Sequence, residues 1–315
     1  MNNKTVYSAY DLLSIPVFDP VWTVPDLLPA GLAILGGRPK VGKSWLALQL
    51  ALSKGAGGVF LGRQLKKGRV LYLALEDSPR RLQSRMQKLQ WPCDPTIEAD
   101  FIVLSDFLQL IGPFHQNGAT TLRDSFIKAK GYQLVIIDTL SRAFMGINDI
   151  DKNQEVTKAL APIQEIGQQL DCTILVIDHH NKGAEGREPN PINDILGSTA
   201  KAAVLDTAWG LYREKGKPAA NLMITGREVE EQTLSLKKDF VTMAWQLENP
   251  TATSPLQLSP LQEKLIDFLK DNGRSGFSTI YKTGGFNKGN AWVALQDLRG
   301  IGEVNYDINT SEYYV

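Results

Sequence analysis

GLAILGGRPKVGKSWLALQL, residues 31–50, is the stretch whose reading decides the fold. Leu32, Ala33, Ile34 and Leu35 form an apolar run of strand length, Gly36 and Gly37 open a turn, and a helical pattern starts at Ser44. Between strand and helix, Gly37-Arg38-Pro39-Lys40-Val41-Gly42-Lys43-Ser44 fits G-x-x-x-x-G-K-[ST] at every fixed position, in the context that motif requires. The physical logic is that glycines let backbone N–H groups curl around phosphate oxygens while the helix N-terminus adds positive potential. Lys43 then reaches the β and γ phosphates, the Ser44 hydroxyl ligates Mg²⁺, and Trp45 follows in the phosphate-facing turn. The expected cofactors are ATP and Mg²⁺.

Outward from this stretch, short apolar runs alternate with helical patterns. VLYLAL at 70–75, FIVLS at 101, LVIID at 134 and CTILVID at 172 read as strands, with helices from Ser78, around 121–130 and at about 152–170. Such runs are those of parallel strands buried on both faces, so the expected class is α/β, a doubly wound, mostly parallel sheet flanked by helices. AAVLDTAWGLY, ANLMITG, TLSLKKD and TMAWQL read as further strands at one edge. Residues 1–30, rich in Pro and aromatics, read as a lead-in arm to a nucleotide domain over 31–248. NPTATSPLQLSP begins a linker at 249–258, and a small α+β unit at 259–315 has the helix order and terminal hairpin of a winged helix.

Composition narrows the partners. Lys+Arg 34 against Asp+Glu 34 leaves no net charge, so nucleic-acid contact has to come from a local patch. The small unit carries Lys264, Lys270, Arg274, Lys282, Lys288 and Arg299 against seven acids, a net −1, which leaves DNA contact, partner docking and ring stabilisation all open for it. Cys93 and Cys172 are too few and too distant for a disulfide framework or a thiolate metal cluster. No apolar stretch reaches the roughly 18–20 residues of a membrane helix, and a cytoplasmic location is expected.

Three strand ends carry acid–base candidates. Asp138 closes LVIID where ligands bind in open α/β sheets and is the expected support for Mg²⁺, with Asp178 as competitor. Glu76 closes VLYLALE and is the candidate to orient the attacking water, with Asp77 adjacent. His179 and His180 follow CTILVID, where a side chain can report the γ-phosphate; His115 is the only other histidine, so a zinc site is disfavoured.

The order P-loop, strand with Glu76, strand with Asp138 and strand with His179 resembles the RecA-like ATPases, most closely the RepA-type replicative helicases of plasmids and related mobile-element ATPases. The resemblance covers roughly residues 15–248 and includes HHNKG and GSTAKAAVLDTAW. It implies that Glu76 activates water, Asp138 supports Mg²⁺, His179 senses γ-phosphate and Arg85 packs on adenine. By the same likeness Arg227 is a candidate arginine finger for the neighbouring subunit's site, with Arg213, Lys215 and Lys217 as rivals. The loop 181–194 is expected to meet single-stranded DNA through Lys182 and Arg187.

These features lead to a ring-forming, DNA-dependent ATPase, a homo-oligomer and hexamer by resemblance, that unwinds or translocates on DNA with replication proteins as further partners and no membrane. A RecA-like ATP switch or loader that never unwinds a duplex is the alternative. A P-loop small-molecule kinase fits less well, because it has no use for a sensor histidine, a finger in trans or the loop at 181.

Overall fold

The computed structural model describes residues 6, 8–14, 20–146, 153–179, 189–196, 204–248, 260–300, 304–307 and 310–315. Two compact units divide the chain, Met1–Asn249 and Pro250–Val315. The linker expected at 249–258 lies outside the described residues, as do His180, Lys182 and Arg187.

Among the described residues the first unit is built on a nine-stranded sheet. In chain order its strands are β1 (Gly31–Gly37), β2 (Val70–Ala74), β3 (Ala99–Val103), β4 (Leu134–Asp138), β5 (Thr173–His179), β6 (Thr207–Arg213), β7 (Ala219–Gly226), β8 (Gln232–Lys238) and β9 (Trp245–Leu247). Their order across the sheet is β9-β8-β7-β6-β1-β5-β4-β2-β3. From β3 to β6 the neighbours run parallel, and β7, β8 and β9 extend the β6 edge by antiparallel pairing.

The unbroken apolar runs have a direct cause. Ala33 and Leu35 face one core with Tyr72, Ile136 and Leu175, while Leu32 and Ile34 face a second with Leu73, Val135 and Ile174. Successive side chains of a strand point to opposite faces, so burial on both sides demands apolar residues at every position. Helix α1 (Lys43–Ala56) covers the first face through Leu46, Ala47 and Leu50, and α3 (Asn153–Gln169) covers the second through Leu160, Ile163 and Ile166. Each such buried Leu, Ile or Val side chain contributes about 1.5–3 kcal/mol of transfer free energy. Helix α2 (Pro79–Lys88) follows β2; Ser78 caps it by accepting the Arg81 amide, and Pro79 stands where a missing N–H costs nothing.

Residues 20–30 differ from the expected arm. Trp22–Val24 pairs antiparallel with Leu28–Pro29, Val24, Leu27 and Leu28 are buried in the first core, and the Leu27 carbonyl accepts the Trp209 indole N–H at 3.0 Å. Prolines bar only central pairing, so a two-stranded ribbon is compatible with Pro29.

The second unit comprises α5 (Pro260–Asn272), α6 (Phe277–Thr283) and α7 (Lys288–Gly300), numbered after α4 (Pro191–Leu196) of the first unit, with a sheet of Ser275–Gly276, Glu312–Tyr314 and Asn305–Asp307 in that order. Leu265, Leu269, Ile280, Leu295, Leu298 and Tyr313 form its core.

Candidate functional site

Parallel register sets the site. Gly37 lies opposite His179, and Ala74 opposite Asp138, so the P-loop, Glu76, Asp138 and His179 all emerge at one edge, the carboxyl edge of the parallel strands. The loop's geometry explains two of its glycines. Gly37 sits where an added Cβ would stand 2.9 Å from the Leu211 carbonyl, and Gly42 combines φ 117° with the Trp245 indole 2.8 Å from that position. No other residue fits either place without displacing backbone or a buried ring.

Lys43 is buried, and its ammonium donates to the carbonyls of Gly37 (2.7 Å) and Arg38 (3.1 Å) and to His179 Nδ1 (3.2 Å). Burial pushes its pKa down to about 8, against the pull of Asp138, Asp178 and Glu76. His179 is likewise held below the usual imidazole range, by burial first and by the Lys43 charge second, so it faces Lys43 as a neutral acceptor.

Asp138 is buried, accepts the Tyr72 phenol O–H at 2.8 Å, and has the Ser44 hydroxyl near enough to favour its carboxylate form. Burial raises its pKa, and the two hydroxyls oppose that rise. Asp178 instead accepts the His179 amide at 2.8 Å. Glu76 is exposed, and its Oε1 accepts the hydroxyl of Thr139, the residue after Asp138, at 2.9 Å. Asp77, just before α2, pairs with two of its residues, Arg81 at 3.2 Å and Arg85 at 2.5 Å. Arg85 lies 5.5 Å from the Trp45 ring centroid, so these two residues form one surface beside the P-loop.

Donor chemistry decides whether Mg²⁺ and a nucleotide fit. A hydroxyl at the start of a helix, a carboxylate near it at a strand end, and a lysine ammonium on the loop carbonyls offer hard oxygen ligands and cationic charge beside the turn. Mg²⁺ takes one or two protein oxygens and completes its shell with phosphates and water, which is the donor set Ser44 and Asp138 supply.

Arg227 lies elsewhere. It follows β7, whose end pairs with Thr207 at the opposite, amino edge of the parallel strands; its side chain is 53% exposed and meets Asp206 at 3.7 Å. The structure does not bring it to this chain's own P-loop. Of its rivals, Arg213 grips that loop: Nε donates to the Val41 carbonyl at 3.1 Å, one terminal nitrogen to Lys40 at 3.2 Å and the other to Lys217 at 3.0 Å. Lys215 and Lys217 line the adjoining cleft of about 630 Å³ with Arg38, Asp194 and Tyr212. Asp194, at the end of the expected 181–194 loop, lies instead in helix Pro191–Leu196, and its carboxylate accepts the Tyr212 phenol at 2.8 Å there.

Tyr72, Thr139, Lys238 and Trp245 were not singled out by the sequence, and Arg213 was named only as a rival finger. Tyr72 left a trace, a phenol inside the apolar run VLYLA; the others are joined to the P-loop or Glu76 by tertiary contacts alone.

Comparison with known proteins agrees with this geometry. The AAA_25 family model, described as an AAA domain, matches residues 12–185, more than half of the chain. No curated protein matches the sequence. A DnaB-like replicative helicase solved with its interactions with primase superposes at TM-score 0.53 and 15% identity, covering 69% of this chain and 57% of that one. The RadB recombinase superposes at TM-score 0.49 and 15% identity, covering 71% of this chain and 93% of that one. The fold, a large mixed, mostly parallel sheet flanked by helices, is shared with the DnaB-like helicase. Among the described residues no helix is long and apolar enough to cross a membrane. The strand–loop–helix turn and the acids at one sheet edge fall within the matched residues, and this chain belongs to the AAA_25 family of AAA domains.

Proposed function

We propose that the chain is a DNA-dependent ATPase that works as a ring, a replicative helicase of a plasmid, phage or mobile element. The observation that carries the nucleotide reading is that the Lys43 ammonium, seated on the Gly37 and Arg38 carbonyls, shares one sheet edge with the Ser44 hydroxyl and the Asp138 carboxylate, which act on each other electrostatically. Mg²⁺, when bound, neutralises charge on the β and γ oxygens. Lys43 binds the same oxygens and releases its hold on Gly37 and Arg38 to do so. Glu76, oriented by Thr139, holds the attacking water and accepts its proton at a carboxylate oxygen. His179, next to Lys43 and on the strand that leads into residues 181–194, reads the phosphate state. Arg85 and Trp45 receive the base.

Arg227, exposed at the opposite edge, suits a finger inserted into a neighbouring subunit's site, where a guanidinium neutralises transition-state charge only in the assembled ring. Lys182 and Arg187 on the loop after β5 are the proposed contacts with single-stranded DNA, repeated by each of six subunits. The second unit is proposed as a winged-helix-like domain joined by the 249–258 linker, serving DNA or a replication protein. The solved helicase neighbour supports this choice of function by fold, and the chain spans 57% of its length.

The test is ATPase rate with and without single-stranded DNA, together with displacement of a forked duplex. Stimulation and strand displacement are expected. No stimulation and no displacement by an ATP-hydrolysing protein would leave the ATP switch or loader as the function.

A further inference from the structure

Lys238 closes β8 and is 4% exposed. Its Nζ lies 3.3 Å from the place a Cβ on Gly42 would occupy, 5.7 Å from the ring centroid of Trp45 and 5.5 Å from that of Trp245. Trp245 is itself fixed on the P-loop, its indole N–H donating to the Gly42 carbonyl at 3.2 Å, and Gln49 of α1 exchanges two hydrogen bonds of 2.8 Å with the Trp245 backbone. The ammonium is thus clamped between two indoles against the turn that receives phosphates.

No acid among the described residues pairs with it. Asp239, next in the chain, is turned onto its own loop, accepting the Val241 amide at 2.7 Å and the Thr242 hydroxyl at 2.8 Å. Asp77 is taken by Arg81 and Arg85. The charges that act on Lys238 are two more cations, Arg213 and Arg85, and together with burial they push its pKa down to about 8. Burying a cation without an anion is costly, and two indole faces offset only part of it. A group so placed weakens the fold unless it acts on something that arrives.

We propose that Lys238 is a nucleotide-affinity residue: its charge, uncompensated by any protein acid, is matched by the polyphosphate held on the Gly42–Trp45 turn. The inference rests on the reading of the P-loop as a nucleotide site. Lys238 acts at a distance across the loop, through the low-polarity surroundings of the two tryptophans, while Lys43 makes the direct contact. A fold that keeps this charge gives up stability without nucleotide and regains it with nucleotide bound.

The experiment measures Mg·ADP binding by titration calorimetry and the thermal midpoint without nucleotide for the full-length chain, Lys238→Met and Lys238→Arg. Met keeps the unbranched stem between the indoles and removes the charge; Arg keeps the charge. Lys238→Met is expected to bind about tenfold more weakly, as one unit charge several ångströms from a polyphosphate implies, and Lys238→Arg to stay within about threefold of the parent. The nucleotide-free midpoint of Lys238→Met is expected to rise. Unchanged affinity in Lys238→Met, or equal loss in both variants, would overturn the inference and make Lys238 a packing residue. If Lys238→Met does not fold, Lys238→Gln replaces it in the same comparison. Failure of the parent chain itself to bind Mg·ADP is a separate result, and it removes the nucleotide reading.

Discussion

The Nε–H of Arg213 donates to the backbone carbonyl of Val41 at 3.1 Å, so the last residue of β6 holds the phosphate loop from outside. Its other nitrogens reach Lys40 and Lys217, and the loop's exposed half is thereby tied to the turn between β6 and β7. A planar guanidinium supplies three donors in fixed directions, which an ammonium on a flexible stem does not. Arg213→Ala and Arg213→Lys are therefore both expected to weaken Mg·ADP binding by about tenfold, equivalent to one or two lost hydrogen bonds. Fluorescent-nucleotide titration checks this; full rescue by lysine would show that charge alone matters.

Glu76→Gln is expected to reduce ATP turnover by at least about a hundredfold while leaving Mg·ATP affinity near that of the parent, because a general base acts only in the chemical step. Thr139→Val, which removes the 2.9 Å hydrogen bond to Glu76 but keeps the shape of the side chain, is expected to lower kcat by about tenfold without changing binding. Steady-state kinetics beside equilibrium titration separate the two effects. Reduced affinity in Glu76→Gln would assign the acid to nucleotide binding instead.

The pH dependence of stability follows from Lys238, whose pKa is pushed down to about 8 in the fold from 10.5. Above about 10.5 both folded and unfolded chains carry the neutral amine; as pH falls through 8 the folded protein must accept a buried charge, and stability is lost. The nucleotide-free thermal midpoint is thus expected to rise between pH 7.5 and about 9.5. Lys238→Met flattens that rise in part, Lys43 supplying the remainder by the same sign. Identical profiles for the parent and Lys238→Met would contradict the assignment.

Much of this arrangement was legible in the sequence because its causes are local. The P-loop needs particular residues at particular spacings, and strands buried on both faces can only be apolar runs, so β1, β2, β4 and β5 stood out, with Glu76, Asp138 and Asp178 at or near the ends of the last three. What escaped notice depends on register and distance in the chain. Arg213 meets Val41, and Trp245 meets Gly42, across 172 and 203 residues. No composition rule announces either. The position of Arg227 at the far edge follows from the antiparallel reversal between β6 and β7, and the burial of Leu27 and Leu28 from a ribbon that the surrounding prolines disguised.

The proposed finger in trans gives a further expectation. Lys43→Ala chains cannot hold the phosphates and Arg227→Ala chains cannot supply a finger, so each alone is expected to be inactive. Mixed assemblies are expected to regain a fraction of the parent ATPase rate at interfaces that pair an intact P-loop with an intact Arg227. Mixing that restores nothing would place the role of Arg227 elsewhere, for instance in holding Asp206 near the start of β1.

The most direct measurement is calorimetric titration of the purified, folded chain with ADP in the presence of Mg²⁺, repeated for Lys43→Ala and Asp138→Asn. Saturable binding by the parent, lost in Lys43→Ala and no longer strengthened by Mg²⁺ in Asp138→Asn, is the predicted result. A folded parent protein that releases no binding heat, or variants that bind as the parent does, would contradict the account.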